Sequence, residues 1–247
     1  MKVGPLFKHF GSKWSGAKHY PPPLPGLPLF EPFAGGAGYA LNYVESHVVI
    51  WEDDPHVAAL WRWFIAEANE NLVRSIPINV PEGTDIRTLG LMDGQALLMK
   101  HWQRTNNCGD CWTVSPWGNK PGQWTANTRA RVSEEVAAVK HWEFARPTYD
   151  VRGTYFIDPP YLFNYRYRFG PDKDFDHEKL SKDIVGIPVG SLVIACEATC
   201  PKTGRVPDYL PFGDSHRQVT SRRKPAQNHH SRELVWIRRS SLDLRTS

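Results

Sequence analysis

Cysteine is scarce in this sequence, four among 247 residues, which is too few for the disulfide framework of a small secreted fold and fits a reducing compartment. Long apolar runs are missing as well. None approaches the ~20 residues that a membrane-spanning helix needs, and the opening MKVGPLFKHFGSKW carries lysines where a signal peptide would place its apolar region. The expectation is a soluble, cytoplasmic protein without a membrane partner. Repeats and low-complexity domains are also lacking. With 40% hydrophobic residues, the chain can bury a substantial core as one domain, or as one domain with an insertion.

Charge is present but unevenly spread. The net charge is +4, yet Pro201 to Ser247 holds ten Lys or Arg against four Asp or Glu, leaving −2 for the remainder. Between Gln95 and Arg131 five basic residues face a single acid, and four of the ten tryptophans fall there: Trp102, Trp112, Trp117 and Trp124. Basic side chains mixed with aromatic rings suit a polyanion that carries stackable bases. A solvated basic face is the plainer reading of the same charge.

The order of elements points to an α/β fold. LPLFEPFAGGAGYALNYV reads as strand, glycine turn and helix. HVVIWEDDPHVAALWRWFIAEANE reads as a strand, Val48 to Trp51, and then a helix with Pro55 in its first turn and Val57, Leu60, Trp61, Phe64 and Ala68 at helical spacing. Strand alternating with helix implies a parallel sheet with helices on both faces. Further strands are expected at GTYFI and GSLVIACEA, and two more around the polar loop of RQVTSRRKPAQNHHSRELVWIRR. Gly38 and Asp158 are 120 positions apart, too far for one crossover, and the Gly-, Pro-, Asn- and Trp-rich stretch from Pro77 to Arg131 reads as irregular inserted chain. The division expected is 1–76 as a cofactor-binding half, 77–138 as an insertion, and 139–247 as a catalytic half with basic terminal strands.

Two local patterns carry chemistry. In FEPFAGGAGYAL, Gly35, Gly36 and Gly38 let the backbone turn tightly and approach a ligand. The next strand runs into Glu52, where a nucleoside-binding sheet places an acid for ribose hydroxyls, with Asp53 and Asp54 competing for that role. An adenosine-bearing cofactor is favoured, NAD among the possibilities. The second pattern is DPPY, Asp158 to Tyr161. Prolines cannot donate to a sheet ladder, so the strand stops there and leaves a stiff corner holding a carboxylate and an aromatic ring. CGDC, Cys108 to Cys111, is half a metal site at most, and no metal is expected. His229 and His230 fall in a basic loop and read as phosphate or solvent contacts.

FEPFAGGAG followed by DPPY resembles the Dam-type (α-group, D12 class) DNA N6-adenine methyltransferases, which use S-adenosyl-L-methionine. KWSGAK, Lys13 to Lys18, looks like that family's Lys-Trp-Ala-Gly-Gly-Lys element. The likeness spans roughly residues 8 to 60 and 139 to 165, and three motifs in order are far more specific than one. It implies a Rossmann-like class I methyltransferase sheet with an inserted target-recognition region. Trp14, Lys18, Phe33, Gly35, Gly36, Gly38, Glu52 and Asp158 would contact the cofactor, while Asp158, Pro159, Pro160 and Tyr161 would form the catalytic corner. An acid that contacts the adenine ring in the family has no clear match here, Glu143 and Asp150 being the alternatives.

The expected reaction is methyl transfer to N6 of an adenine flipped out of double-stranded DNA. Cytosine-N4 methylation and a non-catalytic DNA-binding relative are the alternatives. Lys120, Gln123 and Trp124 in the insertion are expected to read the target, with Arg166, Arg168, Arg222 and Arg223 on phosphates. A monomer is expected, with no obligatory protein partner; a separate restriction endonuclease is the optional associate that the resemblance suggests.

Overall fold

The computed structural model describes residues 2–103, 111–162, 175–200, 202–213, 216–219 and 233–239. In chain order its main elements are β1 (Leu29–Glu31), β2 (Val48–Ile50), α1 (Pro55–Ala66), α2 (Glu70–Arg74), α3 (Asp93–Trp102), α4 (Ala126–Glu135), β3 (Glu143–Phe144), β4 (Thr154–Ile157), α5 (His177–Gly186), β5 (Leu192–Ala198), β6 (His216–Val219) and β7 (Glu233–Arg239). The chain divides into two compact units: Met1–Ser15, Ala34–Glu45 and Glu52–Phe144 form the first, and Gly16–Phe33, Ser46–Trp51 and Ala145–Ser247 the second. Residues 77–138 fall wholly within the first, whereas 1–76 is shared between both.

The second unit is α/β with a mostly parallel sheet. Its six strands run in the order β2-β1-β4-β5-β7-β6. β1 is parallel to β2 and β4, β4 is parallel to β5, and β7 is antiparallel to both β5 and β6. All four residues of β4 and all seven of β5 are buried, as expected of central strands covered on both faces, whose sequences are mostly apolar. On one face, Phe30, Tyr155, Ile157, Val193 and Ala195 form a core with Leu180 and Ile184 of α5 and with Ile187 just beyond it. Leu180 and Ile184 lie four apart, so one stripe of α5 meets the sheet. Asp176 caps that helix by accepting the Lys179 N–H at 2.8 Å. On the opposite face, which Thr154 and Phe156 share, the proline-rich connector packs down: Tyr20 lies 5.3 Å from Phe156 between ring centres, and the Leu24 N–H reaches Thr154 Oγ1 at 2.8 Å.

The first unit is built on tryptophan. Asp54 caps α1 through the N–H groups of His56 and Val57, with Pro55 at its first position. Val57, Leu60, Trp61 and Phe64 are buried as their spacing predicts, and Trp61 stacks on Trp142 at 5.6 Å. Two expectations fail in this unit. The stretch after the glycine turn is a 3-10 turn, Ala40–Asn42, in place of an α-helix. Asn42 turns its side-chain amide onto the carbonyls of Gly38 and Trp14 at 2.8 and 3.2 Å, a local bond that competes with helix continuation. Nor is the segment 77–131 irregular, since it contains α3 and most of α4. Gly94 allows α3 to approach α1 closely: a Cβ there would lie 2.1 Å from the Trp63 ring.

Candidate functional site

In the first unit the glycine turn is shaped by contacts from below. Gly35 and Ala37 both have left-handed backbones, φ +47° and +45°, a conformation that costs an alanine of order 1 kcal/mol. Gly38 cannot be larger, because a Cβ would come within 2.4 Å of the Trp14 backbone nitrogen and 2.7 Å of Ser12 Oγ. The turn therefore rests directly on the Ser12–Trp14 backbone. Trp14 anchors this support with its indole N–H on the Val3 carbonyl at 2.6 Å and the Lys2 ammonium 4.3 Å from its ring. Lys13, whose role was not foreseen, is buried, with its ammonium 3.1 Å from the Gly11 carbonyl.

Glu52 ties the turn to the start of α1. Its carboxylate accepts the Gly35 N–H at 2.8 Å and the Asp54 N–H at 2.9 Å. Burial raises its pKa from the ordinary value, opposed by those same N–H groups. Of the three neighbouring acids, Asp54 caps the helix, Asp53 is exposed, and Glu52 accepts the N–H of the glycine turn. Lys18 and Phe33, expected at the same cofactor, belong to the second unit. Lys18 is exposed there, and Phe33 meets the Phe175 ring edge to face at 5.4 Å.

In the second unit β4 stops at Ile157, and Asp158, Pro159, Pro160 and Tyr161 follow at its carboxyl end. From β1 the sheet grows towards β2 on one side and from β4 towards β5 on the other, so β1 and β4 flank the topological switch point, where open α/β sheets bind ligands. The Tyr161 hydroxyl donates to Asp158 Oδ1 at 3.0 Å. Burial, then the Asp158 charge, drives the phenol pKa well above its usual value, so Tyr161 stays a donor. His177, opening α5, has Nε2 3.0 Å from the Pro160 carbonyl and Nδ1 3.1 Å from that of Phe175.

Behind the corner lies a carboxylate that the sequence reading did not single out. Glu197 in β5 is fully buried and accepts three hydrogen bonds: Leu162 N–H at 3.2 Å, Ala198 N–H at 2.8 Å and the Tyr209 hydroxyl at 2.9 Å. Burial pushes its pKa up to about 7, the three donors acting in the opposite sense and the Asp158 charge adding to the rise. The signal available was an acid inside the otherwise apolar LVIACEA run.

The residues expected to read DNA sort differently. Lys120 is exposed, but Gln123 and Trp124 are interior side chains. Gln123 Oε1 accepts the Lys8 ammonium at 2.7 Å, and the Trp124 indole donates to the Pro77 carbonyl at 2.9 Å. Buried rings and amides with internal partners present no face to a base, so the structure gives these two a structural place. Trp117, 58% exposed, is the solvent-facing tryptophan of that loop. Arg166, Arg168, Arg222, Arg223, His229 and His230 lie outside the described residues, as does Cys108. Cys196 and Cys200 are buried and Cys111 is half-buried, and no group of three His, Cys, Asp or Glu among the described residues could hold a metal ion. Among those residues no helix is long and apolar enough to cross a membrane. Comparison with models of known protein families and with curated proteins finds no match to this chain.

Proposed function

We propose that this chain is a DNA methyltransferase that transfers a methyl group from S-adenosyl-L-methionine to N6 of an adenine flipped out of double-stranded DNA. The observation that carries the reading is the Asp158-Pro159-Pro160-Tyr161 corner at the switch point of a mostly parallel sheet. The donor chemistry of the first unit fits the cofactor: Glu52 is an anionic acceptor of the kind a ribose diol requires, next to a glycine turn of fixed shape. When bound, S-adenosylmethionine supplies an electrophilic methyl group on a sulfonium.

The residues of the corner do the rest. An exocyclic adenine amine is a poor nucleophile because its lone pair is delocalised into the ring. Asp158 and the Pro159 carbonyl accept hydrogen bonds from its two hydrogens, localise the lone pair on nitrogen and aim it. Such positioning and charge stabilisation together contribute several kcal/mol, on the scale of about 3 kcal/mol for one preorganised polar group. Tyr161 supplies an aromatic face for a base that has left the helix, and its bond to Asp158 holds ring and carboxylate as one piece. The prolines keep the acceptors pre-aimed. Lys120, on the exposed side of its loop, is a phosphate or base contact.

Incubating the protein with duplex DNA and isotopically labelled S-adenosylmethionine, then digesting to nucleosides, tests the reading. The expected label is in N6-methyl-2′-deoxyadenosine. Label in N4-methylcytosine would move the chemistry to another base, and absence of label from DNA at saturating cofactor would overturn the proposal.

A further inference from the structure

Three features of the second unit converge on the back of the catalytic corner. Glu197 lies in the central strand next to β4, fully buried, and one of its oxygens accepts both the Leu162 N–H, the first backbone donor after Tyr161, and the Tyr209 hydroxyl. Tyr209 packs against the edge of His177, ring centres 4.7 Å apart. His177 in turn sits 3.0 Å from the Pro160 carbonyl. The corner is thus gripped twice, through the chain leaving Tyr161 and through the carbonyl of its second proline, and both grips lead to one carboxylate.

We propose that Glu197 is the positioning residue of the corner: as a carboxylate it holds Leu162 and Tyr209, and its protonation lets the corner relax out of its methyl-transfer geometry. This rests on the methyltransferase reading and adds a regulating group to the same site. A carboxylate accepts all three of its observed donors, whereas a proton on either carboxyl oxygen would face a backbone N–H that can only donate, Ala198 at Oε1 or Leu162 at Oε2, and the Tyr209 hydroxyl would have to reverse from donor to acceptor to take it. Glu197 loses its proton near neutral pH, so the grip forms as pH rises through about 7. The titratable groups around it among the described residues are Asp158 and Tyr161 from the corner, Tyr209, His177 of α5, Cys196 of the same strand, and, at the start of β7, Glu233, to which Tyr20 donates at 2.7 Å. Asp158 is the charge that opposes ionisation of Glu197, and Tyr209 the side-chain donor that favours it.

The test has two readouts. In protein carrying ¹³C-labelled tyrosine ring carbons, the Tyr209 signal, assigned by its loss in Tyr209→Phe, should titrate with a midpoint near pH 7 in the wild type and stay flat in Glu197→Gln. A wild-type signal that does not move between pH 5.5 and 8.5 would overturn the proposal whatever the activity. In methyl transfer, kcat should rise with pH through the same midpoint, with the KM for S-adenosylmethionine unchanged. Glu197→Gln should lower kcat roughly fivefold to twentyfold and abolish that rise. Tyr209→Phe, which removes a donor that favours the charged form, should move the rise to higher pH, a shift that lost packing alone does not produce. An unaltered pH profile in both variants would overturn it. A titrating tyrosine in a protein that methylates no DNA would refute the methyltransferase reading and leave the Glu197–Tyr209 linkage standing.

Discussion

Each unit of the molecule holds a carboxylate against backbone N–H groups, and the two are used in opposite ways. Glu52 follows β2 by two residues, is only partly buried, and accepts one N–H from the glycine turn and one from the chain entering α1. Glu197 is inside β5, fully buried, with two backbone donors and a tyrosine hydroxyl. Burial raises the pKa of both. An acid at a strand end beside solvent can shape a loop and still accept from a ligand. One in the middle of a core is committed to the protein, and it acts on chemistry only through what it holds.

The surroundings of these acids differ as much as the acids themselves. The first unit depends on interlocked tryptophans, and Trp124 is among the largest fully buried side chains. Trp124→Ala should therefore destabilise the fold by ~3–5 kcal/mol, the usual cost of deleting a buried tryptophan, measured by urea denaturation. A loss below ~1 kcal/mol would restore Trp124 as a candidate surface reader and undo the contrast.

The next effect separates the two carboxylates by pH. Glu197 has a folded pKa of about 7 against an ordinary 4.5, so the stability it contributes is fully present below the unfolded value and is lost as pH rises through the folded one. At ~1.4 kcal/mol per pKa unit, the wild type should lose about 3 kcal/mol relative to Glu197→Gln between pH 4 and pH 8. Denaturation curves of both proteins across that range check it; a constant difference would mean that Glu197 does not change its charge on folding. Keeping the ionised acid thus trades stability for a positioned corner, a trade common at functional sites.

Glu52 should show a smaller, ligand-linked effect. Glu52→Ala should weaken S-adenosylmethionine binding by roughly tenfold or more, about 1.5–3 kcal/mol for hydrogen bonds to a charged group, by isothermal titration. Smallest is Asp54→Ala, which removes the α1 cap and should cost ~1 kcal/mol of stability without altering cofactor affinity. If Asp54→Ala weakens binding and Glu52→Ala does not, the two acids have been assigned the wrong way round.

How far the sequence disclosed this arrangement depended on whether one local signal dominated. β4, β5 and α1 were legible because continuous apolar runs, the 3.6-residue spacing of Val57, Leu60, Trp61 and Phe64, and the proline stops all agreed. The 3-10 turn at Ala40–Asn42 was not, because its outcome rests on an Asn42 side chain choosing the Gly38 and Trp14 carbonyls. α4 was hidden for a different reason. ANTRARVSEE buries only Val132 and Ser133, so it presents almost no apolar stripe. Trp124 misled through composition: tryptophan among lysines suggests a stacking surface, yet an indole N–H within reach of a carbonyl is equally content in a core. Around the candidate site, the end of β4 before Asp158 and the glycine turn that Glu52 holds could be read because proline and glycine punctuate the chain beside them. Glu197 could not, since its partners Leu162 and Tyr209 are 35 and 12 residues away in sequence.

The central claim, that Asp158 activates the amine it faces, is tested most directly by single-turnover methyl transfer with Asp158→Ala at saturating S-adenosylmethionine and duplex DNA. The account predicts a rate at least ~100-fold below wild type, the scale for losing one preorganised polar stabiliser, with cofactor binding changed little. Transfer within tenfold of wild type would contradict it.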